Sequence, residues 1–263
     1  MLTSDYKIQK RLPTMEELPY TDNKPVDSEL QDLISHLLKD ILALLWANRN
    51  DWFFGIDVGW YYDPDKSAIA PDGFLCLGVP AVREPNLRLS YVTWEENEVV
   101  PILALEVVSK SPGGEYKKKK RIYAEQGVLY YVIYAPLRKR KRRLSVFRLN
   151  GQGEYELIDD NPVWMPEIGL GIGTSVGTYQ RVTREWLYWY DRTGNRYPTS
   201  DEAREQERRA RQRAERQLRQ AQQRAEELAS RLRSLGVAPP DKSSGSDVVD
   251  AGRQEIDPDE LNR

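Results

Sequence analysis

The chain has 263 residues and a mass of 30.5 kDa, and its 39 Lys and Arg against 41 Asp and Glu leave a net charge of −2. That balance excludes a uniformly basic nucleic-acid-coating protein, the lone Cys76 excludes an internal disulfide, and one Cys with one His, His36, cannot build a zinc-finger ligand set. The longest apolar runs, Ile41 to Ala47 and Val99 to Leu105, fall far short of the ~18 residues of a membrane span, no signal-peptide pattern opens the chain, and the expected compartment is the reducing cytoplasm.

Residues 1–26, punctuated by Pro13, Pro19 and Pro25, read as an N-terminal arm. Asp27 or Ser28 can then cap a helix running to Asn48, whose Leu30, Leu33, Ile34, Leu37, Leu38, Ile41, Leu42 and Leu45 recur at spacings of three and four and form a wide apolar stripe. His36 lies in this helix without any Ser or Cys nucleophile motif and reads as a surface or core contact. Strands are predicted at 52–62, 71–77, 99–109, 129–134, 144–149 and 154–158, each β-branched or aromatic and separated by Gly, Pro or charge. A helix from about Gly114 to Gln126, stopped by Gly127, fits between the third and fourth. This order predicts an α/β (α+β) domain over 27–198, completed by the aromatic-rich segment 162–198.

After Pro198 the composition changes. Residues 199–236 predict a long charged helix in which Ala214, Leu218, Ala221, Ala225, Leu228, Leu232 and Leu235 step alternately by four and three, a coiled-coil-like seam of about three heptads. Residues 237–263 are acidic and read as a disordered tail.

With histidine and cysteine chemistry nearly absent, carboxylates, lysines and an oxygen-liking cation remain. The run Ile102-Leu103-Ala104-Leu105-Glu106-Val107-Val108 sets one carboxylate inside an apolar strand. Such a group needs a partner, a metal or exposure at a sheet edge, because burying an unpaired charge costs several kcal/mol. Ala70-Pro71-Asp72-Gly73-Phe74 places a second acid at the start of another strand, and two acids from adjacent strands are a common way to hold Mg²⁺. Pro-Asp recurs at Pro64-Asp65, Pro240-Asp241 and Pro258-Asp259, where turn chemistry accounts for it.

The ordered set Pro71-Asp72-Gly73, Leu105-Glu106-Val107-Val108-Ser109, Glu115-Tyr116 through Lys119 to Tyr123, Gly127-Val128 and Tyr130-Tyr131-Val132-Ile133-Tyr134 resembles the Uma-type restriction-endonuclease-like family of the PD-(D/E)XK nuclease superfamily. The resemblance covers roughly residues 10–198. It implies a mixed central sheet flanked by helices, with Asp72, Glu106 and the Val107 backbone carbonyl holding Mg²⁺ or Mn²⁺, and a lysine that orients or activates water. The lysine usual two residues after the acid is replaced by Val108, on the same strand face as Glu106. A lysine of the following helix substitutes in families of this type, and the match falls on Lys119, in one helix stripe with Tyr116 and Tyr123. Lys120 is the nearest competitor, while Lys110 shares strand parity with Glu106 but lies about 13 Å along at ~3.3 Å per residue. Glu29 could add a third carboxylate, as helix-borne acids do in some relatives, or be a first-turn acid favoured by the helix dipole. Ser109 is expected to cap or orient the turn after the strand.

Residues 117–143 carry eleven Lys or Arg against the single acid Glu125. Of these, Lys117, Lys118, Lys120, Arg121, Arg138, Lys139, Arg140, Lys141, Arg142 and Arg143 are the candidate nucleic-acid contacts; the alternative for 138–143 is a solvated hairpin loop. The function implied is a Mg²⁺-dependent endonuclease acting on DNA. The alternative is a catalytically inactive nucleic-acid-binding or coiled-coil interaction module on the same fold, and the heptad helix could pair two copies as a homodimer.

Overall fold

The computed structural model of the chain describes residues 11–15, 17–18, 28–83, 87–108, 114–139 and 142–236. The chain divides into two units, Met1–Ala203 and Arg204–Arg263. The expected N-terminal arm falls within the description only at 11–15 and 17–18, where Met15 is buried, and the acidic tail lies outside the described residues.

The first unit opens with α1 (Glu29–Leu45), for which Ser28, not Asp27, is the N-cap. A six-stranded mixed sheet follows, built from β1 (Trp52–Gly55), β3 (Gly73–Leu77), β5 (Leu103–Val107), β6 (Tyr130–Tyr134), β7 (Leu144–Leu149) and β8 (Tyr155–Ile158) in that spatial order. Only the central pair, β5 with β6, is parallel; the other neighbours are antiparallel. Between β5 and β6 the chain forms a π-helical turn, Glu115–Lys119, and then α2 (Lys120–Glu125), so the predicted helix is present but begins wider than an α-helix. Gly127, at φ +79, ends it in the left-handed conformation that glycine adopts without steric cost. The single strand expected at 52–62 is instead two, because Asp57 turns the chain at φ 50 and β2 (Trp60–Tyr61) leaves the large sheet to pair in parallel with β4 (Tyr91–Val92). A second antiparallel sheet, β9 (Val163–Met165), β10 (Leu170–Tyr179) and β11 (Val182–Tyr190), accounts for the aromatic segment.

Two cores lie on the two faces of the large sheet. Alternation sends Leu103, Leu105 and Val107 of β5 and Tyr130, Val132 and Tyr134 of β6 to one face, where they meet Ile34, Leu37, Leu38, Ile41 and Leu42 of α1 and Leu187 and Trp189 of β11. Ala104, Tyr131 and Ile133 turn to the other, against Tyr123 of α2 and Trp60 of β2. Strand β5 is therefore buried on both faces, which explains why its sequence is a continuous apolar run rather than an alternating one.

Helix α3 (Ser200–Ser234) starts at the capping box of Thr199 and Glu202, where Thr199 N–H donates to Glu202 Oε2 at 2.9 Å and Glu202 N–H donates to Thr199 Oγ1 at 3.2 Å. No residue of α3 is buried, and Leu218, Leu228 and Leu235 are widely exposed. No helix among the described residues is long and apolar enough to cross a membrane.

Leu38 is fully buried at the centre of the α1 stripe, whereas Leu44 faces outward at 43% exposure. Leu38→Ala is expected to lower unfolding stability by about 2–5 kcal/mol in urea titrations followed by tryptophan fluorescence, and Leu44→Ala to change it by less than about 0.5 kcal/mol.

Candidate active site

The register of the large sheet brings the two acids together. Gly73 lies opposite Leu105, so Asp72, just before β3, sits beside the end of β5, and its Oδ2 accepts the Val107 backbone N–H at 2.5 Å. Packing around Gly73 is close: a Cβ there would stand 3.1 Å from the Phe54 ring, so a side chain would oblige that ring to shift. Glu106 projects to the α2 face and is 1% exposed. The open choice between a solvent-facing and a partnered Glu106 is thus decided by a central strand with a helix over it.

Two side chains from the helical segment meet that carboxylate. Lys119 donates to Glu106 Oε2 at 2.7 Å, and the Tyr123 hydroxyl donates to Oε1 at 2.6 Å. Lys119 also donates to the Ala70 carbonyl at 3.3 Å, tying the helix to the segment that carries Asp72. Residues 119 and 123 are one helical turn apart, so both reach one point on the sheet. Tyr116 does not join them: its ring lies under the Arg138 guanidinium at 4.8 Å. The start of the segment is anchored by the Tyr131 hydroxyl, which donates to the Glu115 carbonyl at 2.7 Å.

Burial pushes the Glu106 carboxyl up to about 8, against the pull of Lys119 and with a further push from Asp72. Burial draws Lys119 down, but the Glu106 charge outweighs it and holds the ammonium above its ordinary value. Burial, reinforced by Glu106, keeps the Tyr123 hydroxyl protonated well beyond its usual range, so it is a donor. The position left without a lysine, Val108, is 1% exposed and packs in the same core as Tyr123.

Other residues singled out in the sequence lie elsewhere. Glu29 is exposed in the first turn of α1. The residue of α1 that reaches the site is Gln31, whose Nε2 donates to the Val107 carbonyl at 3.0 Å. The sequence pattern conceals it because S-x-x-Q at a helix start is accounted for by capping, although Gln31 is also a polar residue one turn before Ile34 and Ser35 on the buried face. Lys120 rests 3.7 Å over the Phe147 ring, and Lys117, Lys118, Arg121 and Lys139 are exposed. The tertiary structure supplies acids that local sequence does not: Arg142 pairs with Asp159, and Arg143 with Glu185 at 3.1 Å. Arg121 lies 3.5 Å from Glu125. Ser109, Lys110, Arg140 and Lys141 lie outside the described residues.

Among the described residues no three His, Cys, Asp or Glu side chains form a metal-binding group. The donors at hand are the Asp72 and Glu106 carboxylates and the Val107 carbonyl, all of them oxygens. This set suits a hard cation such as Mg²⁺, which takes one or two carboxylates and keeps water for the rest of its shell. The buried Glu106 charge, balanced in the fold by Lys119, adds to the fit, since a second positive charge nearby would favour its ionised form.

The profile of the Uma2 family, described as "Putative restriction endonuclease", matches residues 14–177. No curated protein matches the chain. Among solved structures, the "Crystal structure of a putative nuclease belonging to DUF820 from Anabaena variabilis ATCC 29413" is similar at 16% identity over 59% of this chain and 88% of that one, with a TM-score of 0.39. The family match takes in Asp72, Glu106, Lys119 and the sheet that carries them, and the chain belongs to the Uma2 family.

Proposed function

We propose that this protein is a divalent-metal-dependent endonuclease that hydrolyses phosphodiester bonds of DNA. The observation that carries the reading is the convergence of Asp72, Glu106 and Lys119 at the neighbouring ends of β3 and β5, in a chain of the family described as "Putative restriction endonuclease". Asp72, Glu106 and the Val107 carbonyl would hold Mg²⁺ or Mn²⁺. A cation there would polarise a phosphoryl oxygen and make water a stronger nucleophile. Lys119 would orient the attacking water and stabilise negative charge developing on the phosphorane, in place of the lysine absent at position 108. Tyr123 would fix the Glu106 rotamer from the opposite oxygen. No covalent intermediate with the protein is needed.

Lys117, Lys118, Lys139 and the ring-stacked Arg138 would bind the phosphate backbone. Arg142 and Arg143 are less suited, since each already faces an acid. The exposed leucines of α3 also support a homodimer through that helix, with the Ala-rich seam making the pairing weak.

Nicking and linearisation of supercoiled plasmid should require Mg²⁺ or Mn²⁺ and stop in EDTA. Lys119→Met is expected to slow cutting about 10²–10³-fold and Glu106→Gln by at least as much, with Lys120→Met close to wild type. Cutting by Glu106→Gln at the wild-type rate would refute the proposal. Salt-sensitive DNA binding without turnover under any metal would favour the inactive binding module instead.

For the basic surface, Lys117→Ala with Lys118→Ala should weaken plasmid-fragment binding and reduce the slope of log affinity against log salt by about 1 for each phosphate that is no longer neutralised. Binding measured at a series of salt concentrations from about 50 to 200 mM checks this, and an unchanged slope would remove both lysines from the interface.

A further inference from the structure

We propose that Gln31 is a positioning residue of this site: it holds the Val107 carbonyl in the direction from which that oxygen serves a divalent cation shared with Asp72 and Glu106. The inference rests on the nuclease reading above and adds a residue to it.

In the backbone of β5, even-numbered residues face β6, since the Tyr130 N–H donates to the Ile102 carbonyl at 2.9 Å and the Val108 N–H to the Tyr134 carbonyl at 2.7 Å. The N–H and C=O of Val107 therefore point the other way, toward β3. Carrying the register two residues past Gly73 opposite Leu105 sets Pro71 opposite Val107. In an unbroken antiparallel ladder, residue 71 would donate its N–H to the Val107 carbonyl. Proline has no N–H, so the covalent structure of the Pro71-Asp72 pair takes that donor away.

Both polar groups of Val107 are instead held by side chains. Asp72 Oδ2 accepts its N–H at 2.5 Å, and Gln31 Nε2 donates to its carbonyl at 3.0 Å. Gln31 is only 7% exposed and comes from α1, across the face of the sheet opposite to Lys119. The orientation of its amide is settled by chemistry: a carbonyl only accepts, so the nitrogen must face Val107. The amide oxygen then receives the Ser28 hydroxyl at 2.8 Å, and Ser28 is the N-cap of α1. A chain of hydrogen bonds thus runs from a helix cap through one amide to the carbonyl between the two acids.

An amide suits this place better than a carboxylate. Acceptor would face acceptor if position 31 carried an ionised acid, and a proton on the acid or a cation between the two oxygens would be needed to relieve the repulsion. A carbonyl oxygen has two lone pairs, so it can take the amide hydrogen and still serve a cation. Outer-shell partners of this kind typically contribute about 10–100-fold to metal affinity.

The test is Mn²⁺ titration calorimetry on the full chain, together with thermal unfolding in EDTA and in Mn²⁺, for wild type, Gln31→Met, Gln31→Glu and Glu106→Gln. Gln31→Met is expected to bind Mn²⁺ about 10- to 100-fold more weakly. That loss of Mn²⁺ affinity is one that a purely structural role for Gln31 would not produce. Gln31→Glu is expected to melt below wild type in EDTA and to gain more than wild type from Mn²⁺. Wild-type Mn²⁺ affinity in Gln31→Met, with binding abolished in Glu106→Gln, would overturn the inference and leave the nuclease reading standing. If Gln31→Met fails to fold, an Mn²⁺ gain in Gln31→Glu no larger than that of wild type overturns it. No Mn²⁺ binding by wild type would overturn both.

Discussion

A carboxylate placed at the end of a strand that is covered on both faces is the constraint around which this fold is arranged. Glu106 is almost wholly withdrawn from water, and a group in that position must find a proton, a cation or a hydrogen-bond donor. The fold provides Lys119 on one oxygen and Tyr123 on the other. For these to arrive together, the segment after β5 must return over the α2 face at the right height, and a π-helical turn ahead of α2 forms part of that return. The parallel pairing of β5 with β6 demands a crossover there in any case, so the connection that the topology requires also delivers the cation.

The other face of the sheet has a different task. Leu103, Leu105 and Val107 pack there against α1 and the β9–β11 sheet, and this is the larger of the two cores. Its burial holds β5 in place while the opposite face carries the polar constellation. The polar residue of α1 that reaches β5, Gln31, meets it at Val107, beyond the last residue paired with β3, where the chain leading into β3 carries Pro71. Core and site therefore share a strand, with successive residues assigned to opposite faces by the pleat.

Charge is organised on two scales. Within the site, Lys119 pulls the buried Glu106 carboxyl down against the push of burial, and the Glu106 charge in turn holds the Lys119 ammonium above its ordinary value. On the surface, the basic character of residues 117–143 is moderated by acids brought from distant segments, Asp159 and Glu185 among them. Exposed pairs of this kind contribute little to stability, but they reduce the positive potential around Arg142 and Arg143, while Lys117, Lys118 and Lys139 stay exposed.

The elements are largely legible in the sequence because their signals are local. The three-and-four spacing of α1, the apolar run of β5 and the change of composition after Pro198 are each written in a few neighbouring residues. So are Pro71-Asp72 and the lone Glu106, since a charge in an apolar strand is anomalous wherever the strand ends up. The division of residues 52–62 into two strands is not legible, because it depends on a left-handed residue at Asp57 and on a pairing with β4, a distant segment of the chain. Lys119 is favoured over Lys120 in the sequence only through the family resemblance and the stripe it shares with Tyr123; adjacent helical residues point about 100° apart, and the packed structure sets Lys119 on Glu106 and Lys120 over Phe147. Gln31 is hidden in the sequence. Its spacing from Ser28 satisfies a helix cap, and that it also reaches Val107, 76 residues away in the chain, is a fact of register and packing that no local pattern encodes.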